Sequence, residues 1–157
     1  MIDMNILFEK FITHILIEGM DNKFQVKDQY NLYLDKSNKY KMIPDIVISE
    51  KKTNKEIIVA DCKYKRLTKD ARSSNSDIYQ LISYCNVTNT HNGVLIYPKD
   101  ESLGDSFEVV NSNIKVNQIV MDLNTEINEL KIESEILCQK LLDSFNIEKF
   151  EYEEITK

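Results

Sequence analysis

Residues 43–64 read IPDIVISEKKTNKEIIVADCKY, and this stretch decides the fold. It contains two β-prone runs, IPDIVIS and EIIVADCKY, separated by the polar segment EKKTNK, which reads as a hairpin loop. Both runs are apolar on both faces over much of their length, as in central strands covered on each side. Into this apolar setting the sequence puts Asp45, Asp61 and Lys63. Successive side chains of a strand point to opposite faces, so Asp61 and Lys63 share a face and Cys62 points the other way. If the hairpin folds about Thr53 and Asn54, Asp45 falls opposite Asp61. Two carboxylates and an ammonium then converge on one spot, and buried charges need a partner or a metal.

Working outward, residues 4–18 read as a helix, with Ile6, Leu7, Phe11, Ile15 and Leu16 at near-helical spacing and Gly19 at its end. Residues 23–35 read as one extended strand or two short ones. Beyond the hairpin, Ser73, Ser74 and Ser76 offer caps for a helix over 77–87. Residues 93–97 (GVLIY) form a buried strand stopped by Pro98, 114–123 a further strand, and 125–145 a long amphipathic helix. The fold class expected is α/β: a sandwich with a central mixed β-sheet flanked by helices, in a single domain over 1–157.

Composition narrows the function. The chain has 157 residues, 42% hydrophobic and 29% charged, with only 3 Gly and 2 Pro. That is an ordinary globular composition. No apolar run approaches the roughly 20 residues that span a bilayer, and no secretory signal is apparent, so no membrane partner is expected. Three cysteines, Cys62, Cys85 and Cys138, match no zinc or disulfide spacing and point to reduced thiols in a cytoplasmic protein. The net charge of −6 is unevenly spread. Residues 36–72 hold eleven Lys/Arg against five Asp/Glu, while 100–157 hold five against fourteen. Such asymmetry suits one face for an anionic polymer, with DNA as the expected partner.

Two carboxylates on a sheet suit a hard divalent cation. Mg²⁺ takes oxygen ligands and keeps waters and phosphate oxygens in its shell, and Mn²⁺ can stand in for it. Asp45 and Asp61 are the candidate ligands, with the backbone carbonyl of Cys62 as another. Lys63 would orient the attacking water or stabilise charge. The ordinary alternative is a buried Asp–Lys ion pair, with Asp45 merely starting a strand after Pro44.

This arrangement resembles the PD-(D/E)XK nuclease superfamily, with PDIVISE similar to its first motif and ADCKYK to its second. Gln80 and Tyr84 in DIYQLISY resemble the Gln-x-x-x-Tyr element of the RecB-type subgroup, and Glu9 in NILFEKFI resembles an acidic residue often placed near the metal. The order of these elements, with the strand ending at Ile-Tyr-Pro, is most similar to the nuclease subunit (McrC-like) of McrBC-type modification-dependent restriction systems. The resemblance implies a restriction-endonuclease-like fold and a metal-dependent DNA endonuclease that hydrolyses phosphodiester bonds in restriction or defence. It implies Asp45 and Asp61 as metal ligands, Lys63 as the catalytic lysine, and Glu9 as an auxiliary ligand. Gln80 and Tyr84 would orient the site or touch DNA.

Lys65, Arg66, Lys69 and Arg72 follow the second strand, and Lys51 and Lys52 lie in the hairpin loop; all six are expected to neutralise phosphates. Nuclease subunits of this type usually carry an N-terminal region that engages a GTP-driven motor ring, whereas the first helix here begins almost at Met1. The resemblance therefore supports nuclease chemistry better than a motor or specificity partner. Cutting both strands calls for two such sites, which leaves a homodimer or transient pairing open. The alternative function is a catalytically silent nucleic-acid-binding or structural subunit with the same fold.

Overall fold

A computed structural model describes residues 1–65, 73–99 and 104–147. Its centre is a six-stranded mixed sheet. The elements in chain order are α1 (Met4–Gly19), β1 (Phe24–Asp28), β2 (Leu32–Tyr33), β3 (Lys41–Met42), β4 (Ile46–Glu50), β5 (Glu56–Cys62), α2 (Asn75–Thr88), β6 (Asn92–Pro98), β7 (Ser106–Glu108), β8 (Lys115–Met121) and α3 (Leu130–Asp143). The sheet order is β1-β4-β5-β6-β8-β7, and β2 and β3 form a separate two-stranded ribbon. The β1–β4, β4–β5 and β7–β8 pairs are antiparallel, and the β5–β6 and β6–β8 pairs are parallel. Helix α2 is the crossover between parallel β5 and β6, as such a connection requires.

Alternation along the central strands splits the core between two faces. Ile46, Ile48, Ile58, Ala60, Cys62, Val94 and Ile96 point into one cluster with Phe8, Ile12 and Leu16 of α1 and Leu137, Cys138 and Leu141 of α3. Val47, Val59, Leu95 and Tyr97 point into the other, with Leu81, Tyr84 and Cys85 of α2. The sheet is thus sandwiched between α1 with α3 and α2, the restriction-endonuclease-like arrangement expected.

The strand boundaries differ in instructive ways. The segment after α1 is two short strands, because Gln29 turns in the left-handed region (φ 47°). Strand β6 runs on to include Pro98, which pairs with Met121 at the strand end, where a missing N–H is tolerated. Helix α3 starts at Leu130 rather than 125. Its first cap, Glu129, makes no side-chain hydrogen bond, and Ile127 lies exposed before it. Only Leu137, Cys138, Leu141 and Leu142 of its apolar stripe reach the core. Among the described residues no helix is long and apolar enough to cross a membrane.

Candidate metal and nuclease centre

The β4–β5 register pairs Ile46 with Ala60 and Val47 with Val59, so Asp45, one residue before the ladder, lies opposite Asp61. Both belong to the face covered by α2. This is the carboxyl end of parallel β5 and β6, where open α/β sheets place ligands. The local sequence builds the spot twice over. Asp45 Oδ2 accepts a 2.7 Å hydrogen bond from the Cys62 backbone N–H, and its own carbonyl accepts from the Gln29 N–H at 3.1 Å. The Lys63 N–H donates to the Ile96 carbonyl at 2.9 Å, carrying the β5 backbone past its last ladder residue.

Asp61 is 3% exposed. Its Oδ2 lies 2.5 Å from Lys63 Nζ, which also donates to Gln80 Oε1 at 3.0 Å and lies 3.9 Å from Asp77 Oδ1. The electrostatics are those of a crowded anionic site. Burial, then the Asp61 charge, pushes the Asp45 carboxyl up to about 7. Burial also raises Asp61, against the pull of Lys63. Burial lowers the Lys63 ammonium, but Asp61 and Asp77 more than reverse that and leave it raised. One lysine therefore faces a pair of carboxylates that resist ionising together.

Helix α2 carries the rest. Asp77, Gln80 and Tyr84 lie at i, i+3 and i+7 on one face. Tyr84 is buried, and its hydroxyl donates to the Ile43 carbonyl at 3.3 Å, bracing the chain two residues before Asp45. Burial, with the Asp61 and Asp45 charges, raises its phenol to about 12, so it acts as a neutral donor. Asp77 opens the same helix motif, Asp-x-Tyr-Gln, but the sequence gives it no role of its own. Ser74 caps the helix through the Asp77 N–H, and the Asp77 carboxylate pairs with Lys65. Burial pushes that carboxyl up, but Lys65 and Ser74 outweigh it and hold it below its ordinary value. Its i, i+3 spacing from Gln80 was the available signal. Beneath it, buried Ser73 accepts from the Tyr97 hydroxyl at 2.6 Å and from Gln118 Nε2 at 2.9 Å, tying the start of α2 to β6 and β8.

Other expected residues fall elsewhere. Glu9, on α1 in the opposite layer, accepts from Gln29 Nε2; burial raises its carboxyl, and the Asp61 charge adds to that. Among the described residues no group of three or more His, Cys, Asp or Glu is arranged to hold a metal; the Glu9 charge nonetheless reaches the pair and adds to the rise of the Asp45 carboxyl. The Cys62 side chain is buried in the α1–α3 layer and its thiol is pushed well up by burial, which leaves only its backbone for the site. Lys51 and Lys52 occupy the β4–β5 turn, the hairpin loop in which the sequence placed them; the five residues of β4 put them roughly 17 Å from the carboxylates. Lys65 does sit at the site, whereas Arg66, Lys69 and Arg72 lie outside the described residues.

The donor set fits a hard divalent cation. Two adjacent carboxylates, Asp45 oriented by the Cys62 N–H and Asp61 by Lys63, give the small oxygen-ligand count that Mg²⁺ accepts while keeping its waters.

No curated protein matches the chain. Among solved structures, it is similar to a chain of the half-complex refined from a tetradecameric assembly of Thermococcus gammatolerans McrB AAA+ hexamers with bound McrC, at 19% identity and a TM-score of 0.64. That match covers 87% of this chain but 33% of the other, so the chain spans about one third of that relative's length. The model of the McrBC 5-methylcytosine restriction system component family matches residues 1–98, well over half the sequence, and the chain belongs to that family.

Proposed function

We propose that this chain is the catalytic part of a metal-dependent DNA endonuclease working in McrBC-type restriction. The observation that carries the reading is the convergence of Asp45, Asp61 and Lys63 at one strand end, with Gln80 and Asp77 aligned behind the lysine. A pure binding module gains nothing from two mutually repelling carboxylates where a polyanion must dock.

Asp45 and Asp61 would hold Mg²⁺ or Mn²⁺, with the Cys62 carbonyl as a further oxygen. Such a cation supplies a more acidic bound water and a polarised phosphate. The protein's own groups do the positioning. Gln80, Asp61 and Asp77 confine the Lys63 ammonium, so it meets charge developing on a phosphate oxygen without reorganising. Tyr84 fixes the approach of the Asp45 segment through Ile43. Lys65, held by Asp77, offers a second positive charge to the DNA backbone. Hydrolysis adds water to phosphorus and breaks one P–O bond of the strand.

The family and the likeness to an assembly of McrB AAA+ hexamers with McrC support a motor partner, and a second copy would supply the second strand's cut. Cys62, Cys85 and Cys138 are buried and form no disulfide among the described residues, which suits the cytoplasm. The test is plasmid DNA incubated with Mg²⁺ or Mn²⁺ and wild type, Asp61→Ala or Lys63→Ala, each checked for native circular dichroism. Cutting by wild type alone is expected. Equal cutting by the variants sinks the assigned site, and a chain that cuts nothing, with or without an added motor subunit, is a silent binder or structural subunit.

A further inference from the structure

We propose that the β2–β3 ribbon is an arm that grips double-stranded DNA beside the cleavage site; the idea rests on the nuclease reading above. Residues 30–44 read YNLYLDKSNKYKMIP, with Lys36, Lys39 and Lys41 against a single acid, Asp35. That acid is spent internally. Its carboxylate accepts from the Ser37 hydroxyl and from the N–H groups of Ser37, Lys39 and Tyr40, the last two at 2.9 Å. Asn38 makes the turn in the left-handed region at φ 56°, which asparagine tolerates. The loop is therefore organised by its own hydrogen bonds and presents uncompensated lysines.

The ribbon has two unlike faces. Leu32 pairs with Met42, both are half-buried, and Met42 packs on the α2-side core. Tyr33 pairs with Lys41 on the outer face, and both are exposed. Tyr33 and Tyr40 are 41% and 65% exposed, large values for tyrosines with no partner strand beside them. A two-stranded ribbon is the width that a DNA major groove admits, and its lysines are where flanking phosphates would lie.

Its place in the fold supplies the second argument. The ribbon runs directly into Pro44 and Asp45, and its base is pinned by Tyr84 to Ile43 and by Gln29 to Asp45. From Asp45 to the tip at Asn38 the chain reaches at most ~25 Å, less than one DNA turn of about 34 Å. A duplex seated on the carboxylates thus passes the arm within the same turn.

The test is fluorescence anisotropy of a short labelled duplex with the full chain in EDTA, over a range of salt. The triple variant K36Q/K39Q/K41Q should bind at least tenfold more weakly, and the slope of log affinity against log salt should shrink by about 2 to 3, the loss of two or three phosphate contacts. The same affinity and slope for the triple variant overturn the proposal, as does an affinity loss with unchanged slope. Wild type that binds no duplex, or that prefers polyglutamate to duplex at equal salt, also overturns it; the latter would assign the arm to an acidic protein. DNA cutting with an arm-independent affinity would sink this proposal and leave the nuclease standing, whereas arm-dependent binding without cutting would do the reverse.

Discussion

Replacing Asp45 by asparagine should stabilise the cation-free protein, and increasingly so as the pH rises. Asparagine keeps the acceptor that the Cys62 N–H needs, and its amide can donate to Asp61 as a protonated Asp45 does. What it removes is a carboxyl that burial and Asp61 raise from 3.8 to about 7. A carboxyl whose folded value lies above its unfolded one makes its full contribution below the unfolded value, and that contribution is lost as pH rises through the folded value. The wild type therefore loses stability between about pH 4 and 7, by at most about 4 kcal/mol from that gap. Sharing the repulsion with Asp61 and partial solvation cut this to about 2 kcal/mol, or about 4–8 °C in melting temperature for a chain of this size. Urea denaturation of both proteins in EDTA from pH 4 to 8 measures it. The curves should meet near pH 4, separate through neutrality and run parallel above it. A variant no more stable than wild type at pH 8, or a gap independent of pH, would refute the picture of a strained anionic pair.

Asp77→Asn should slow single-turnover cleavage by on the order of tenfold to a hundredfold, because it loosens Lys63 and Lys65. Metal-free duplex affinity should change little, which separates positioning from binding. Ser73→Ala removes the acceptor shared by Tyr97 and Gln118 and should cost about 1–3 kcal/mol in urea denaturation. Gly93→Ala would put a Cβ 3.0 Å from both Cys85 Sγ and Leu81 Cδ2, forcing α2 off the sheet at a cost of about 1–3 kcal/mol, seen as a lower melting temperature.

The hairpin was legible because alternation along a strand is a strict rule: Asp61 and Lys63 must share a face, and a loop centred on Thr53 and Asn54 must bring Asp45 across from Asp61. The buried helix face was legible in part, through Gln80 and Tyr84. Asp77 was hidden because an acidic residue at a helix start has an ordinary explanation in the helix dipole. The β2–β3 ribbon escaped because two-residue strands leave no periodicity to read. Lys51 and Lys52 were legible as hairpin-loop residues, but a run of positive charge along the sequence does not say how far each lysine lies from the carboxylates; the fold puts Lys65 beside Asp77 and these two at the other end of β4. Glu9 could be placed on a helix but not near to or far from a ligand shell, since that depends on how α1 packs across the sheet.

The central claim is that Asp45 and Asp61 form a divalent-cation site and that Lys63 serves chemistry rather than binding. Titration of Mn²⁺ into wild type, Asp61→Ala and Lys63→Ala, followed by electron paramagnetic resonance, tests it most directly. Binding by wild type and Lys63→Ala, and its loss in Asp61→Ala, is the result expected. Equal binding by Asp61→Ala and wild type would contradict it.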